Sequence, residues 1–211
     1  MSEIKLVSFD LDGTLFKIPT FYHLCKKMGK ENEVEKLRQL YSHDKKKRRD
    51  EVHKLVVCSL DDVKKYLEDM PTVKNIAIVV RKLKERGMIV VILSDVPTVV
   101  SEYMKKYGFD DVIGSIAIVK DNMLVGESKF LEDKYHGLLE YCRKNGIEPK
   151  ECVHVGNDFN DITVFQNAGH SIAFNPISLE VEKNARHVVR SDDLLEVYKI
   201  LQQNIFNKAG G

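Results

Sequence analysis

The sequence predicts an α/β fold: a mainly parallel sheet covered on both faces by helices, with an all-helical insertion. Three observations carry this expectation. Short apolar, β-compatible runs alternate with stretches of helical periodicity, as strand–helix–strand units do. Three of those runs stop at polar motifs, which is where ligands gather beyond the carboxyl ends of the strands in open α/β sheets. Residues 17–70, finally, leave the alternation: charge is dense, glycine and proline are nearly absent, and Leu37, Leu40 and Tyr41 or Val63, Tyr66 and Leu67 recur at helical spacing. The expected organisation is therefore a core of residues 1–16 and 71–211 with a helical cap inserted at 17–70.

In chain order, Ile4–Phe9 reads as the first strand and ends in the polar loop Asp10-Leu11-Asp12-Gly13-Thr14. After the insertion, Pro71 restarts the alternation. Ile76, Val79, Val80 and Leu83 mark a helix face closed by Gly87, and Met88–Leu93 reads as a buried strand with Ser94-Asp95 just beyond it. Val96, Val99, Val100 and Tyr103 stripe the next helix, which stops at Gly108. Ile116–Val119 and Met123–Val125 flank Asp121-Asn122 as a small hairpin. A helix through Tyr135, Leu138, Leu139 and Cys142 closes at Gly146, and Cys152–Val155 opens onto Gly156-Asn157-Asp158-Phe159-Asn160-Asp161. Strands at Ser171–Phe174 and His187–Val189 and a helix striped by Leu194, Tyr198, Leu201 and Ile205 complete the chain.

At 211 residues, with 43% hydrophobic and 31% charged residues and a net charge of +1, one catalytic unit is expected, with no electrostatic bias toward nucleic acid or membrane. The longest apolar runs, such as 89–93, are far short of the ~20 residues that cross a bilayer. The N-terminus lacks the basic start and long apolar stretch of a signal peptide, so a cytoplasmic location is expected. Cys25, Cys58, Cys142 and Cys152 show no CxxC spacing and read as reduced, buried thiols. No histidine pair has a metal-binding spacing, so all seven read as packing or surface residues. The run Lys45-Lys46-Lys47-Arg48-Arg49 reads as a solvated helix face between Asp44 and Asp50.

Chemistry is expected where the strands end. Asp10 and Asp12 would share one crowded site with Asp158 and Asp161 if their strands are neighbours. Carboxylates a few ångströms apart repel and raise one another's pKa unless a cation joins them, and oxygen-only ligation suits Mg²⁺. Each aspartate alone could equally be a helix cap or turn residue.

The motifs in order identify a resemblance. Asp10-Leu11-Asp12-Gly13-Thr14-Leu15 resembles the first motif of the haloacid-dehalogenase superfamily, Leu93-Ser94-Asp95 the second, Lys134 the third, and Gly156-Asn157-Asp158-Phe159-Asn160-Asp161 the fourth. The likeness covers nearly the whole chain and is nearest the phosphoserine-phosphatase-like branch. It implies a Rossmann-like core and a Mg²⁺-dependent phosphatase acting on a small phosphorylated metabolite through an aspartyl-phosphate. Asp10 would be the nucleophile and Asp12 the general acid and base. Ser94, Asp95 and Lys134 would bind the phosphate; Asp10, Asp12 and either Asn157 or Asp158 would hold the metal; Thr14 and Asp161 would support them from behind. A phosphotransferase or mutase on the same scaffold, or a non-catalytic anion-binding module, are the alternative readings.

Three positions depart from the family pattern. Asn157 stands where the fourth motif usually has aspartate. Pro19 stands where phosphoserine phosphatases carry a glutamate that meets the substrate ammonium. Asp95-Val96-Pro97 replaces glycines whose backbone approaches the serine carboxylate. An added carboxylate and a residue without an N–H both disfavour an anionic head group, which weakens the case for phosphoserine as substrate.

Overall fold

The computed structural model describes residues 3–129, 131 and 133–206. Among the described residues eight strands form one sheet: β1 Leu6–Phe9, β2 Val57–Ser59, β3 Ile89–Pro97, β4 Asp111–Lys120, β5 Met123–Lys129, β6 Cys152–Gly156, β7 His170–Phe174 and β8 His187–Val189. Their order is β2-β5-β4-β3-β1-β6-β7-β8. The six strands from β4 to β8 in that order pair in parallel, and β5 and β2 add an antiparallel margin. The α/β expectation therefore holds. The central strands read as continuous apolar runs because both of their faces are covered: β1 and β6 are buried at every residue.

Among the described residues ten α-helices accompany the sheet: α1 Thr20–Lys27, α2 Glu31–Leu40, α3 Lys45–Leu55, α4 Leu60–Leu67, α5 Ile76–Lys84, α6 Thr98–Ser101, α7 Lys134–Asn145, α8 Ile162–Asn167, α9 Leu179–Asn184 and α10 Leu195–Leu201. The main core gathers Val7, Phe9, Val90 and Ile92 with Val79, Leu83 and Leu201; the opposite face packs Leu6, Val91 and Leu93 against Leu138 and Cys142 of α7. Gly108 and Gly146 end their helical segments at φ 96° and 65°, in the left-handed region that glycine adopts without strain.

Three local features differ from the expectations. The segment between Thr20 and Leu67 carries four helices and also β2, whose residues pair with Met123–Val125 of β5. The strand expected to stop at Leu93 runs on to Pro97, so Ser94 and Asp95 lie within β3, at a register shift between Ser94 and Pro97. The β4–β5 hairpin is longer than the motif suggested, and Asp121 and Asn122 turn it at φ 48° and 63°, the conformation that a tight two-residue loop requires. All four cysteines are free and buried. Among the described residues no helix is long and apolar enough to cross a membrane.

Candidate active site

Three neighbouring strands deliver the site. Phe9 lies opposite both Ile92 and Val155, so Asp10, Ser94 and Asn157 emerge close together at one end of the sheet. The Asp10 N–H still donates to the Val155 carbonyl at 2.8 Å, which fixes the start of the loop to β6. Gly13 then turns at φ +86°, and a Cβ there would strike the Asn157 amide; the first motif has glycine for both reasons.

The centre is a buried charge network. Lys134, in the first turn of α7, is 1% exposed. Its Nζ donates to Asp10 Oδ1 at 2.6 Å and to Asp161 Oδ1 at 2.7 Å. Asp161 is held on both sides: Oδ1 also faces His154 Nε2 at 3.0 Å, and Oδ2 accepts from the N–H groups of Asn157 at 2.8 Å and Asp158 at 3.0 Å. His154 in turn meets Ser8 Oγ through Nδ1 at 2.9 Å. A Cβ on Gly156 would strike the Asp161 carboxylate, so this packing requires glycine there. A lysine can be buried here because two carboxylates compensate it.

The carboxyls are driven apart electrostatically. Burial pushes Asp10 up to about 8, Lys134 opposes this, and the charges of Asp161 and Asp12 add to it. Asp161 is also buried, yet the ammonium of Lys134 and the His154 bond hold it well below the ordinary carboxylate range. Lys134 is raised despite the cost of burial, by Asp10 and Asp161. Two buried carboxylates share one ammonium, and Asp161, with two backbone donors besides, takes the larger part of it.

Asp12 is half-buried, and its Oδ1 accepts from the backbone N–H of Thr20 at 2.9 Å and from the Thr20 hydroxyl. Thr20 opens α1, so the carboxylate sits on the first N–H of a helix, where negative charge is favoured. Desolvation nonetheless dominates and raises Asp12 to about 6. The sequence expectation gives the supporting role to Thr14 and none to Thr20. The Thr14 hydroxyl instead meets the Asn157 amide at 3.3 Å.

The fit to a metal turns on Asn157. One end of its amide lies 3.1 Å from the Asp12 carbonyl oxygen, 3.2 Å from Asp10 Oδ2 and 3.3 Å from Thr14 Oγ1. With nitrogen at that end the amide donates to these oxygens; with oxygen there, three oxygens converge with no donor of their own between Asp10, Asp12 and Asn157. The first arrangement needs no cation; the second would be satisfied by a divalent one. Among the described residues no three His, Cys, Asp or Glu side chains gather as a metal group. The converging donors are one carboxylate, one backbone carbonyl and one amide, hard oxygens of the kind Mg²⁺ takes. Asp158 is placed differently: its carboxylate caps the next turn, accepting from the Phe159 N–H at 2.6 Å.

Ser94 is buried at the end of the parallel register, and its Oγ accepts from the Val96 N–H at 3.4 Å. Asp95 Oδ2 accepts from Arg49 of α3 at 3.1 Å and from Asn160 at 2.9 Å. The basic run is thus not wholly solvated. Arg49 reaches Asp95, and Lys45, one turn earlier, lies 4.8 Å over the Phe159 ring. His154 is likewise more than a packing residue, since its Nε2 bonds Asp161 Oδ1 at 3.0 Å. Its place inside a buried apolar strand, four residues before the first aspartate of the motif, is the available signal.

Comparison with known proteins bears on the family and the fold. The family model of the haloacid dehalogenase-like hydrolases matches residues 4–169. A phosphoserine phosphatase of Methanocaldococcus jannaschii is 30% identical over 207 residues, covering 94% of this chain and 98% of that protein. One of Archaeoglobus fulgidus is 28% identical over 182 residues, 82% of this chain and 53% of that protein. A solved structure described as a phospho-aspartyl intermediate analogue of phosphoserine phosphatase superposes with a TM-score of 0.78 at 26% identity, over 94% of this chain and 99% of the other.

Proposed function

The chain belongs to the haloacid dehalogenase-like hydrolases and is a phosphoric monoester hydrolase, and from that premise we propose that it cleaves a small-molecule phosphate monoester by forming a phosphoester of its own Asp10, with Mg²⁺ as cofactor and α1–α4 as a cap over the site. The observation that carries the reading is the pair of environments on Asp10: one oxygen on the Lys134 ammonium at 2.6 Å, the other against Asn157 at 3.2 Å.

An Asp10 oxygen attacks phosphorus while the bond from phosphorus to the leaving oxygen breaks. Asp12, whose partial burial keeps a proton available near neutral pH, hands that proton to the departing alkoxide. Water then attacks the phosphorus of the aspartyl-phosphate; Asp12 takes a proton from it, the bond to Asp10 breaks, and phosphate leaves. Acid and base assistance of this kind contributes ~10²–10⁴-fold. Lys134 holds Asp10 in position and offsets the repulsion between its carboxylate and the incoming dianion, and the Ser94 hydroxyl can donate to a phosphoryl oxygen. The metal, held by Asp10 Oδ2, the Asp12 carbonyl and the Asn157 amide oxygen, would supply positive charge that keeps Asp10 ionised and neutralises the phosphoryl oxygens. Thr20 keeps Asp12 in place, and because it opens α1 it ties the acid to the cap.

Purified protein with Mg²⁺ is expected to release phosphate stoichiometrically from para-nitrophenyl phosphate, and Asp10→Asn to lose roughly a thousandfold or more of that rate with an unchanged circular dichroism spectrum. Full activity in a folded Asp10→Asn protein would refute the assignment, and transfer to an added alcohol in place of release would mark a phosphotransferase. A panel of phosphoserine, sugar phosphates, phosphoglycolate and nucleotides then ranks the substrates.

A further inference from the structure

Beside the reacting groups lies an ion pair that the chemistry above does not use. Asp95 directly follows Ser94 on β3, and its carboxylate joins Arg49 of α3 to Asn160 of the loop after β6. The two side chains are 29% and 22% exposed, open enough to be reached by a ligand and sheltered enough that solvent does not screen them fully.

We propose that this Asp95–Arg49 pair selects the leaving group, turning away phosphate esters whose alcohol carries a carboxylate or second phosphate and favouring those whose alcohol carries an ammonium. The proposal rests on the phosphatase reading given above and names the substrate class of that same site.

Four observations support it. Arg49, a cation that α3 turns toward the site, is already engaged by a carboxylate of the protein itself, so an anionic leaving group that uses it must either displace Asp95 or lie beside it. The backbone here offers little to an anion: the Val96 N–H is occupied by Ser94 Oγ at 3.4 Å, and residue 97 is proline, which has none. Arg49 and Asn160 both bond Asp95 at Oδ2, and among the described residues no hydrogen bond reaches Oδ1, so an ammonium can add to that carboxylate without breaking the pair. Asp95 also adjoins the phosphate subsite: it directly follows Ser94, and its bond to Asn160 at 2.9 Å ties it to the loop that carries Asn157. Discrimination of this kind works mainly by placing a like charge against the wrong ligand. A clasp with only a structural role would slow or speed all esters together; a charge selector changes their ratio.

The test compares kcat/KM for two esters of similar size, O-phosphoethanolamine and phosphoglycolate, with para-nitrophenyl phosphate as a reference lacking either group, in the full-length protein with Mg²⁺. The expected wild-type order is ammonium over reference over carboxylate when each is normalised for leaving-group acidity, with the ratio of the outer two on the order of tenfold or more. Asp95→Asn should lower that ratio about tenfold, and Arg49→Gln, which leaves Asp95 without its counter-ion, should raise it. A wild-type preference for phosphoglycolate would overturn the proposal, as would a ratio unmoved by either variant. If Asp95→Asn fails to fold, the Arg49→Gln ratio decides alone. Turnover of the reference ester with no charge preference would reject the selector and leave the phosphatase reading standing; no turnover of any ester would remove both.

Discussion

Replacing Asp161 by asparagine isolates the buried network at nearly constant volume. The carboxylate accepts four hydrogen bonds: from Lys134 at 2.7 Å, His154 at 3.0 Å and the N–H groups of Asn157 and Asp158 at 2.8 and 3.0 Å. All four partners are donors, and an amide has one accepting end. Whichever way it turns, its NH₂ faces either two backbone N–H groups or the pair of Lys134 and His154. Hydrogen bonds to a charged group are worth about 1.5–3 kcal/mol each, and breaking a buried ion pair by removing one partner costs about 3–5 kcal/mol. Lys134 keeps Asp10 as a counter-ion, so a loss of about 3–5 kcal/mol is expected for the whole change, a large part of the ~5–15 kcal/mol typical of a domain. The chain has no tryptophan, so urea unfolding is best followed by far-ultraviolet circular dichroism at pH 7. The pH dependence supplies a second check. Asp161 is depressed in the folded protein, so its stabilisation is present above the ordinary carboxylate range and is lost as pH falls toward its folded value; the gap between wild type and variant should narrow only in acid. A loss below about 1 kcal/mol at pH 7 would refute the reading of Asp161 as the anchor of Lys134.

Further expectations follow from the same geometry. Asn157→Asp restores a charge to the oxygen cradle and should tighten Mg²⁺ binding about tenfold, read by calorimetric titration without substrate; equal or weaker affinity would place the metal elsewhere. Asp12 sits at about 6 in the fold against an ordinary 3.8, so its contribution to stability is present below the ordinary value and lost as pH rises through 6. In a chelator, Asp12→Asn should therefore gain on wild type between pH 4 and 7, by up to about 2 kcal/mol after allowing for solvent screening; a difference that does not vary with pH would contradict this. Gly156→Ala should lower both thermal stability and activity, because its Cβ displaces the Asp161 carboxylate. Thr20→Val should lower kcat more than it raises KM, by removing the hydroxyl that orients Asp12.

Much of the site was legible because it is written in local sequence. Asp10, Ser94 and Asn157 each follow an apolar run, and parallel pairing of those runs brings the three together without further information. The glycines at 13 and 156 mark where side chains from other segments press against the backbone. What could not be read were the partners that only tertiary packing selects. Asp95 reads as a phosphate neighbour in the sequence, which gives no sign that it joins Arg49 across 46 positions. Thr20, not Thr14, holds Asp12. The three residues of β2 sit in a short uncharged run between highly charged helical stretches and become a strand because β5 offers an edge to Val57–Ser59, a long-range condition that local sequence does not reveal.

The central claim is that phosphate passes through a covalent bond to residue 10. Wild-type protein quenched in acid during steady turnover of para-nitrophenyl phosphate and reduced with borohydride, which converts an acyl-phosphate to the alcohol, should carry homoserine at position 10 in its peptide mass spectrum, and only when substrate and Mg²⁺ were both present. Turnover with an unaltered Asp10, or reduction at another carboxylate, would contradict the account.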